Sequence, residues 1–67
     1  MTSFAKIIEM SADSEKSFDD AIAQGIQRAT ETLDNVKSAW VEDQEVHLKD
    51  GKIATYRVHM KVTFQMK

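Results

Sequence analysis

The run ATYRVHMKVTFQM, residues 54–66, alternates apolar and polar side chains over its whole length. A period of two is typical of a β-strand with one buried face and one exposed face. The dipeptide Asp50-Gly51 precedes this run, and both of its residues tolerate the positive φ of a tight hairpin turn. Residues 36–48, before the turn, are therefore expected to form the antiparallel partner strand of a β-hairpin.

The residues before the hairpin predict one strand followed by one helix. Residues 4–10 are rich in β-branched and aromatic side chains, which favours a strand. Ser14 or Asp13 is the expected N-cap of a helix of roughly twenty residues, which ends at Asp34-Asn35. An apolar stripe recurs every three or four positions along this helix: Phe18, Ala21, Ile22, Gly25, Ile26, Ala29 and Leu33.

The predicted fold is α+β with the order β-α-β-β, a three-stranded antiparallel sheet wrapped on one helix. A right-handed crossover makes the first and second strands parallel, so the third strand lies between them in the order 1-3-2. A helix of about twenty residues spans about 30 Å, whereas a strand of thirteen spans roughly 43 Å, so part of the sheet stays uncovered. Gly25 in the stripe indicates a close approach of the helix to the sheet, since glycine otherwise costs about 1 kcal/mol there.

Counting outward from the turn predicts which residues face each other across the hairpin. The polar face is expected to pair Leu48 with Ile53, Gln44 with Arg57, Glu42 with His59, Trp40 with Lys61, and Ser38 with Thr63. The face toward the helix pairs Val41 with Met60 and Ala39 with Val62, and nearer the turn it carries Asp43, Glu45 and His47 opposite Val58, Tyr56 and Ala54. Such a half-apolar overhang suits a neighbouring subunit. His47 and His59 then lie on opposite faces and form no metal pair.

Composition narrows the class of protein. The chain has 67 residues and no cysteine, so we expect a single domain over residues 1–67 without disulfides or thiolate metal sites. The formal net charge of −2 disfavours nucleic acid as a partner, because phosphate binding needs a basic face. No apolar run approaches the roughly 20 residues of a membrane helix. We therefore expect a cytoplasmic protein that oligomerises, since so small a domain is only marginally stable alone.

Candidate functional residues concentrate on the polar face of the hairpin. Trp40 is the only tryptophan, and a ring among charged side chains can stack on a planar ligand, a cation or a partner chain. With two glycines and no cysteine, the chain lacks a glycine-rich phosphate loop and a thiol nucleophile, and we expect no enzyme. The candidate ligand-binding residues are Ser38, Trp40, Gln44, Arg57, His59 and Lys61. Glu42 and Glu45 are the candidate metal ligands, if symmetry brings their copies together.

Three segments of the chain resemble the dodecin family: SEKSFDDAI at residues 14–22, TLDNV at 32–36 and YRVHMKVTF at 56–64. Dodecins are small bacterial and archaeal proteins that form hollow homododecamers. Many bind flavins in pairs at two-fold interfaces, on the outer face of their strands, and are thought to store or quench them. The resemblance thus implies a non-enzymatic homododecamer whose small-molecule ligand is a flavin such as FMN or riboflavin.

The positions that hold flavin in this family are altered here. Ser38 stands where the family has a stacking Trp, and Arg57 stands where a Gln after the third-strand Tyr contacts the flavin. Trp40 lies two residues beyond the Trp position, on the same side but about 7 Å further along the strand. A second group of dodecins lacks that Trp and is associated with calcium, and residues 55–57 and 64–66 are more similar to this group. Two hypotheses follow, a flavin-storing shell with the ligand near Trp40 and a flavin-independent structural or Ca²⁺-binding shell.

Overall fold

A computed structural model of the protein describes residues 4–66, and its elements follow the predicted order. Strand β1 spans Ala5–Ser14, helix α1 spans Phe18–Thr32, strand β2 spans Val36–Lys49 and strand β3 spans Lys52–Gln65. β3 lies in the middle of the sheet, antiparallel to both neighbours, which gives the order β1-β3-β2. The predicted α+β fold and strand order are confirmed.

Helix α1 begins later, and is shorter, than the sequence predicts. Its N-cap is Ser17, whose hydroxyl accepts a hydrogen bond from the Asp20 N–H at 3.0 Å. The predicted caps, Asp13 and Ser14, still belong to β1 and pair with β3. Ser14 is buried, and its hydroxyl donates to the Asp20 carboxylate at 2.6 Å while accepting from the Lys16 N–H at 2.9 Å. Ser14 thus anchors the turn that leads into the helix without being its cap.

The core lies between α1 and the strands beneath it. Its fully buried apolar residues are Ala21, Ala29, Val58, Met60 and Val62. Gly25 is also buried, and a Cβ added there would lie 2.7 Å from Met60 Cε and 3.0 Å from Ala12 Cβ. The helix backbone therefore packs directly on the sheet at this glycine, which confirms the predicted close approach.

Helix α1 covers only part of the sheet, as its length predicts. Its 15 residues span about 22 Å, whereas the 14 residues of β3 span roughly 46 Å. Every residue from 42 to 54 is exposed. Asp50 and Gly51 have φ values of 53° and 76°, the two positive values that a type I′ hairpin turn requires. The turn predicted at these residues is confirmed.

One extra residue in β2 changes the predicted register of the hairpin. The predicted pairs hold for residues 38–41, but Asp43 rather than Glu42 then pairs with His59. This shift is a β-bulge at Glu42. Because the side-chain period of a strand is two, an inserted residue moves the following side chains to the other face. A second shift just before Leu48 restores the predicted register at the turn.

The bulge exchanges the faces of the middle of β2. Gln44 pairs with Val58 on the helix side. Glu45 lies opposite Arg57, the position that was predicted for Gln44. The predicted pairs Glu42–His59 and Gln44–Arg57 are therefore wrong. The predicted placement of Asp43, Glu45 and His47 on the helix side of the hairpin is also wrong, because these side chains lie on the face turned away from α1.

Candidate ligand-binding surface on the outer face of the sheet

The face of the sheet turned away from α1, here called the outer face, is built from rows of side chains that cross β1, β3 and β2. Directly paired residues of an antiparallel sheet share a face. The rows are Ile7, Thr63 and Ser38; Glu9, Lys61 and Trp40; Ser11, His59 and Asp43; and Asp13, Arg57 and Glu45. The predicted ligand-binding residues other than Gln44 thus lie on the outer face.

Trp40 is the most prominent side chain of this surface. The residue is 66% exposed, although tryptophan is usually well buried. Lys61, its predicted cross-strand partner, holds its ammonium 5.7 Å from the centroid of the ring, within the range of a cation–π interaction. An exposed indole held in this way offers a flat stacking surface to a planar molecule.

Lys61 links Trp40 to two carboxylates. Its Nζ lies 3.6 Å from Oε2 of Glu42 and 4.0 Å from Oε1 of Glu9. Both glutamates, with Ser11 and His59, line a shallow depression of about 230 Å³ in the sheet surface. A hydroxyl and two carboxylates therefore line a hollow next to the Trp40 row.

Arg57 makes a two-point contact with Asp13 across β1 and β3. Its Nε and one terminal nitrogen donate to the two oxygens of that carboxylate, at 2.7 and 2.9 Å. These charge-assisted bonds hold the pKa of Asp13 below its ordinary value and raise the pKa of Arg57. The Arg57 guanidinium is therefore directed toward β1, whereas Trp40 lies on β2.

Glu45 joins the two histidines of the chain. One carboxylate oxygen lies 2.5 Å from Nε2 of His59, and the other lies 3.2 Å from Nε2 of His47. The hydrogen bond with His59 is the main cause of the lowered pKa of Glu45. The bulge at Glu42 creates this cluster, so the prediction that the histidines lie on opposite faces is wrong. No signal in the alternation of the sequence could have revealed it.

The candidate metal ligands Glu42 and Glu45 contact different basic side chains. Lys61 holds the first, and the two histidines hold the second. Within residues 4–66 no three His, Asp or Glu side chains gather into a site for a metal ion. The same residues include no helix long and apolar enough to span a bilayer.

A sequence model of one protein family, Dodecin, matches residues 4–67. The chain belongs to the dodecin family. This confirms the resemblance carried by the helix and the third strand, and it supports a dodecin-type role in binding a small ligand.

Named relatives agree with the family in both sequence and shape. The chain is 31% identical over 62 residues to calcium dodecin of Mycobacterium tuberculosis, covering 92% of this chain and 87% of that protein. The structure of dodecin from Streptomyces davaonensis matches with a TM-score of 0.94 at 33% identity, covering 100% of this chain and 98% of that one. The crystal structure of the calcium-chelating calcium dodecin of M. tuberculosis matches with a TM-score of 0.84 at 35% identity, covering 97% and 93%.

Proposed function

We propose that twelve copies of this chain form a hollow, non-enzymatic, cytoplasmic shell that binds and sequesters a planar aromatic ligand of the flavin class on Trp40. The observation that carries the ligand class is the 66% exposure of Trp40 on a face whose side chains are mostly polar or charged. Aromatic rings stack on such a surface with little geometric demand. Ser38, two residues earlier on the same face, is small and leaves room for a ring displaced toward Trp40.

The remaining candidate contacts surround the indole. Lys61 lies over its ring, and His59 lines the neighbouring depression with Glu42. Arg57 lies one row further along, where Asp13 orients its guanidinium. Gln44 lies on the other face of the sheet and is not part of this proposed site.

The uncovered part of the hairpin supports the oligomeric part of the proposal. Leu48 is 63% exposed and Ile53 is 51% exposed, and they pair with each other next to the turn. Val46, on the helix side beyond the end of α1, is 39% exposed. Clustered exposed apolar side chains are typical of protein interfaces, and a domain of this size gains stability from association. A neighbouring copy packed on the hairpin would cover these residues.

Calcium binding without flavin is the second candidate function. It is favoured by the two matches to calcium dodecin of M. tuberculosis, at 31% and 35% identity. Calcium requires six to eight oxygen ligands, and one chain offers Glu42 and Glu45 only in separate pairs. The ion would therefore lie at a symmetry axis, where copies of one of these carboxylates meet.

Native mass spectrometry and riboflavin titration test the proposal together. We expect a mass near twelve times 7.6 kDa and quenching of riboflavin fluorescence on binding. Replacing a stacked aromatic ring by alanine costs about 1–3 kcal/mol, so Trp40→Ala should weaken riboflavin binding by about five- to 150-fold. The matched variant Trp40→Phe keeps a stacking ring and should retain most of the affinity.

Other outcomes overturn parts of the proposal. Quenching that survives Trp40→Ala unchanged would show that the ligand does not stack on this indole. A twelve-copy assembly that binds calcium but not riboflavin would establish the second candidate function. Detection of only a 7.6 kDa monomer would contradict the proposed twelve-copy shell.

A further inference from the structure

We infer that the Trp40 surface selects uncharged planar ligands, such as riboflavin, against phosphorylated ones, such as FMN. This inference rests on the proposed function and narrows its ligand class. It follows from the pairing of charged groups on the outer face, where each basic side chain that surrounds Trp40 is already held by a carboxylate.

The basic groups nearest Trp40 are all engaged. Lys61 lies between Glu42 and Glu9, at 3.6 and 4.0 Å. Arg57, one row beyond His59, gives two hydrogen bonds to Asp13. To bind a phosphate, Lys61 or Arg57 would have to break its contact with a carboxylate. That carboxylate would then lie unpaired beside the negatively charged phosphate.

His59 is engaged as well, through Glu45. Of the other lysines of the hairpin, Lys49 and Lys52 pair with each other beside the turn, and Lys37 lines a hollow with Ser38 and the α1 residues Ile26 and Thr30. Among the described residues 4–66, the basic side chains of the Trp40, His59 and Arg57 rows are therefore all held by carboxylates.

Carboxylates also outnumber permanent cations on this face. The cations are Arg57 and Lys61, and the carboxylates are Glu9, Asp13, Glu42, Asp43 and Glu45. A phosphate monoester carries about −1.5 to −2 charge near neutral pH, and like charges repel within a Debye length of about 10 Å. The phosphate of FMN would enter a negative field wherever it lay beside the depression.

The same carboxylates suit an uncharged polyhydroxylated chain. Ionised carboxylates act only as hydrogen-bond acceptors, whereas hydroxyl groups donate. Glu9, Glu42 and the Ser11 hydroxyl line the depression beside the Trp40 row. A ring stacked on Trp40 can therefore place the hydroxyls of a ribityl side chain against acceptors, and this arrangement requires no cation.

Parallel titrations of the wild-type assembly with riboflavin and with FMN test the inference. Near neutral pH and at low ionic strength, we expect the dissociation constant of FMN to be at least about fivefold higher than that of riboflavin. Added salt should narrow this gap, because it screens the repulsion. Riboflavin affinity should change little with salt.

Charge variants locate the source of the discrimination. The double variant Glu9→Gln with Glu42→Gln should bring FMN affinity to within about twofold of riboflavin affinity, since it removes the two carboxylates nearest Lys61. The double variant Glu31→Gln with Asp34→Asn removes the same formal charge from α1 and the turn after it. This control should leave the ratio of the two affinities unchanged.

The possible failures are distinguishable. FMN binding that equals or exceeds riboflavin binding would overturn the inference and leave the proposed function standing. A control variant that shifts the ratio as far as the outer-face variant would also overturn it, because net charge rather than the Trp40 surface would then decide. Binding of neither flavin would overturn the proposed function, and the inference with it.

Discussion

The two halves of the β2–β3 hairpin share the same strands but are held by different forces. Beneath α1, β3 presents the buried Val58, Met60 and Val62, and burial of apolar side chains contributes about 1.5–3 kcal/mol each. Beyond the helix, every residue from 42 to 54 is exposed. Ion pairs between exposed side chains, such as Arg57–Asp13 on the outer face, contribute little to stability. The covered half therefore maintains the fold, and the exposed half is free to present surface to other copies of the chain.

The largest expected effect is at Met60, which is 1% exposed. Met60→Ala removes buried atoms beneath the helix and should lower the free energy of unfolding by about 2–5 kcal/mol, measured by urea denaturation. Met60→Leu nearly conserves volume and should cost less than about 1.5 kcal/mol. A similar cost for the two variants would mean that side-chain volume at this position does not hold the covered half together.

Leu48→Ala is the matched substitution in the exposed half. Because Leu48 is 63% exposed, the folding of the individual chain should change by no more than about 0.5 kcal/mol. The loss should appear instead in assembly, as smaller species in native mass spectrometry. An effect on folding comparable to that of Met60→Ala would remove the distinction between the two halves.

The two glycines give a second, smaller contrast. An alanine Cβ at Gly25 would meet Met60 Cε and Ala12 Cβ at 2.7 and 3.0 Å, and overpacking costs about 1–3 kcal/mol. Met60 Cε is the flexible end of its side chain and can move, but Ala12 Cβ is attached directly to the β1 backbone, so the helix or the strand must shift. We expect this shift to cost more than the gain in helix propensity of about 1 kcal/mol, so Gly25→Ala should lower the stability. Gly51 has open space around it and a φ of 76°, so Gly51→Ala should cost only about 1–2 kcal/mol of backbone strain.

Thermal denaturation of both glycine variants checks this contrast. Gly25→Ala should lower the melting temperature by disturbing the core, with a change in near-ultraviolet circular dichroism. Gly51→Ala should leave that spectrum unchanged, because nothing lies within 4 Å of its new methyl group. A Gly25→Ala variant more stable than the wild type would show that the helix can move away from the sheet without cost.

The third strand and the hairpin turn were predicted well from the sequence, whereas the middle of β2 was not. The alternation of β3 and the dipeptide Asp50-Gly51 determine the hairpin, because misplacing either would bury polar groups or strain the turn. The segment EDQE, residues 42–45, is polar at every position. Alternation therefore does not determine which of its side chains face the helix, and its sequence gives no indication of the bulge at Glu42. The shared carboxylate of Glu45 was missed for that reason.

The helix start was missed for a different reason. Ser14 and Ser17 are both favourable N-cap residues, so local preference alone does not separate them. The choice is made by tertiary structure, because β1 remains paired with β3 as far as Ser14. The Trp40–Lys61 pair, by contrast, was predicted correctly, since it precedes the bulge.

The smallest expected effect is a pH dependence that comes from the ion pairs of the outer face. The hydrogen bond from Arg57 lowers the pKa of Asp13 in the folded protein. A carboxylate whose pKa is lower in the folded state stabilises the fold above its unfolded-state pKa and loses this contribution as the pH falls. Stability should therefore decline as the pH falls below about 4, with Glu45 contributing in the same direction.

Urea denaturation across this pH range, on the wild type and on Asp13→Asn, measures the contribution of the pair. The variant should be slightly less stable than the wild type at neutral pH. It should also lose less stability in acid, because position 13 then has no carboxylate to protonate. Asp43→Asn is the matched control, since Asp43 lies on the same face and forms no ion pair with the described residues 4–66. If Asp13→Asn and the control respond identically to acid, the Arg57 pair contributes nothing to the fold.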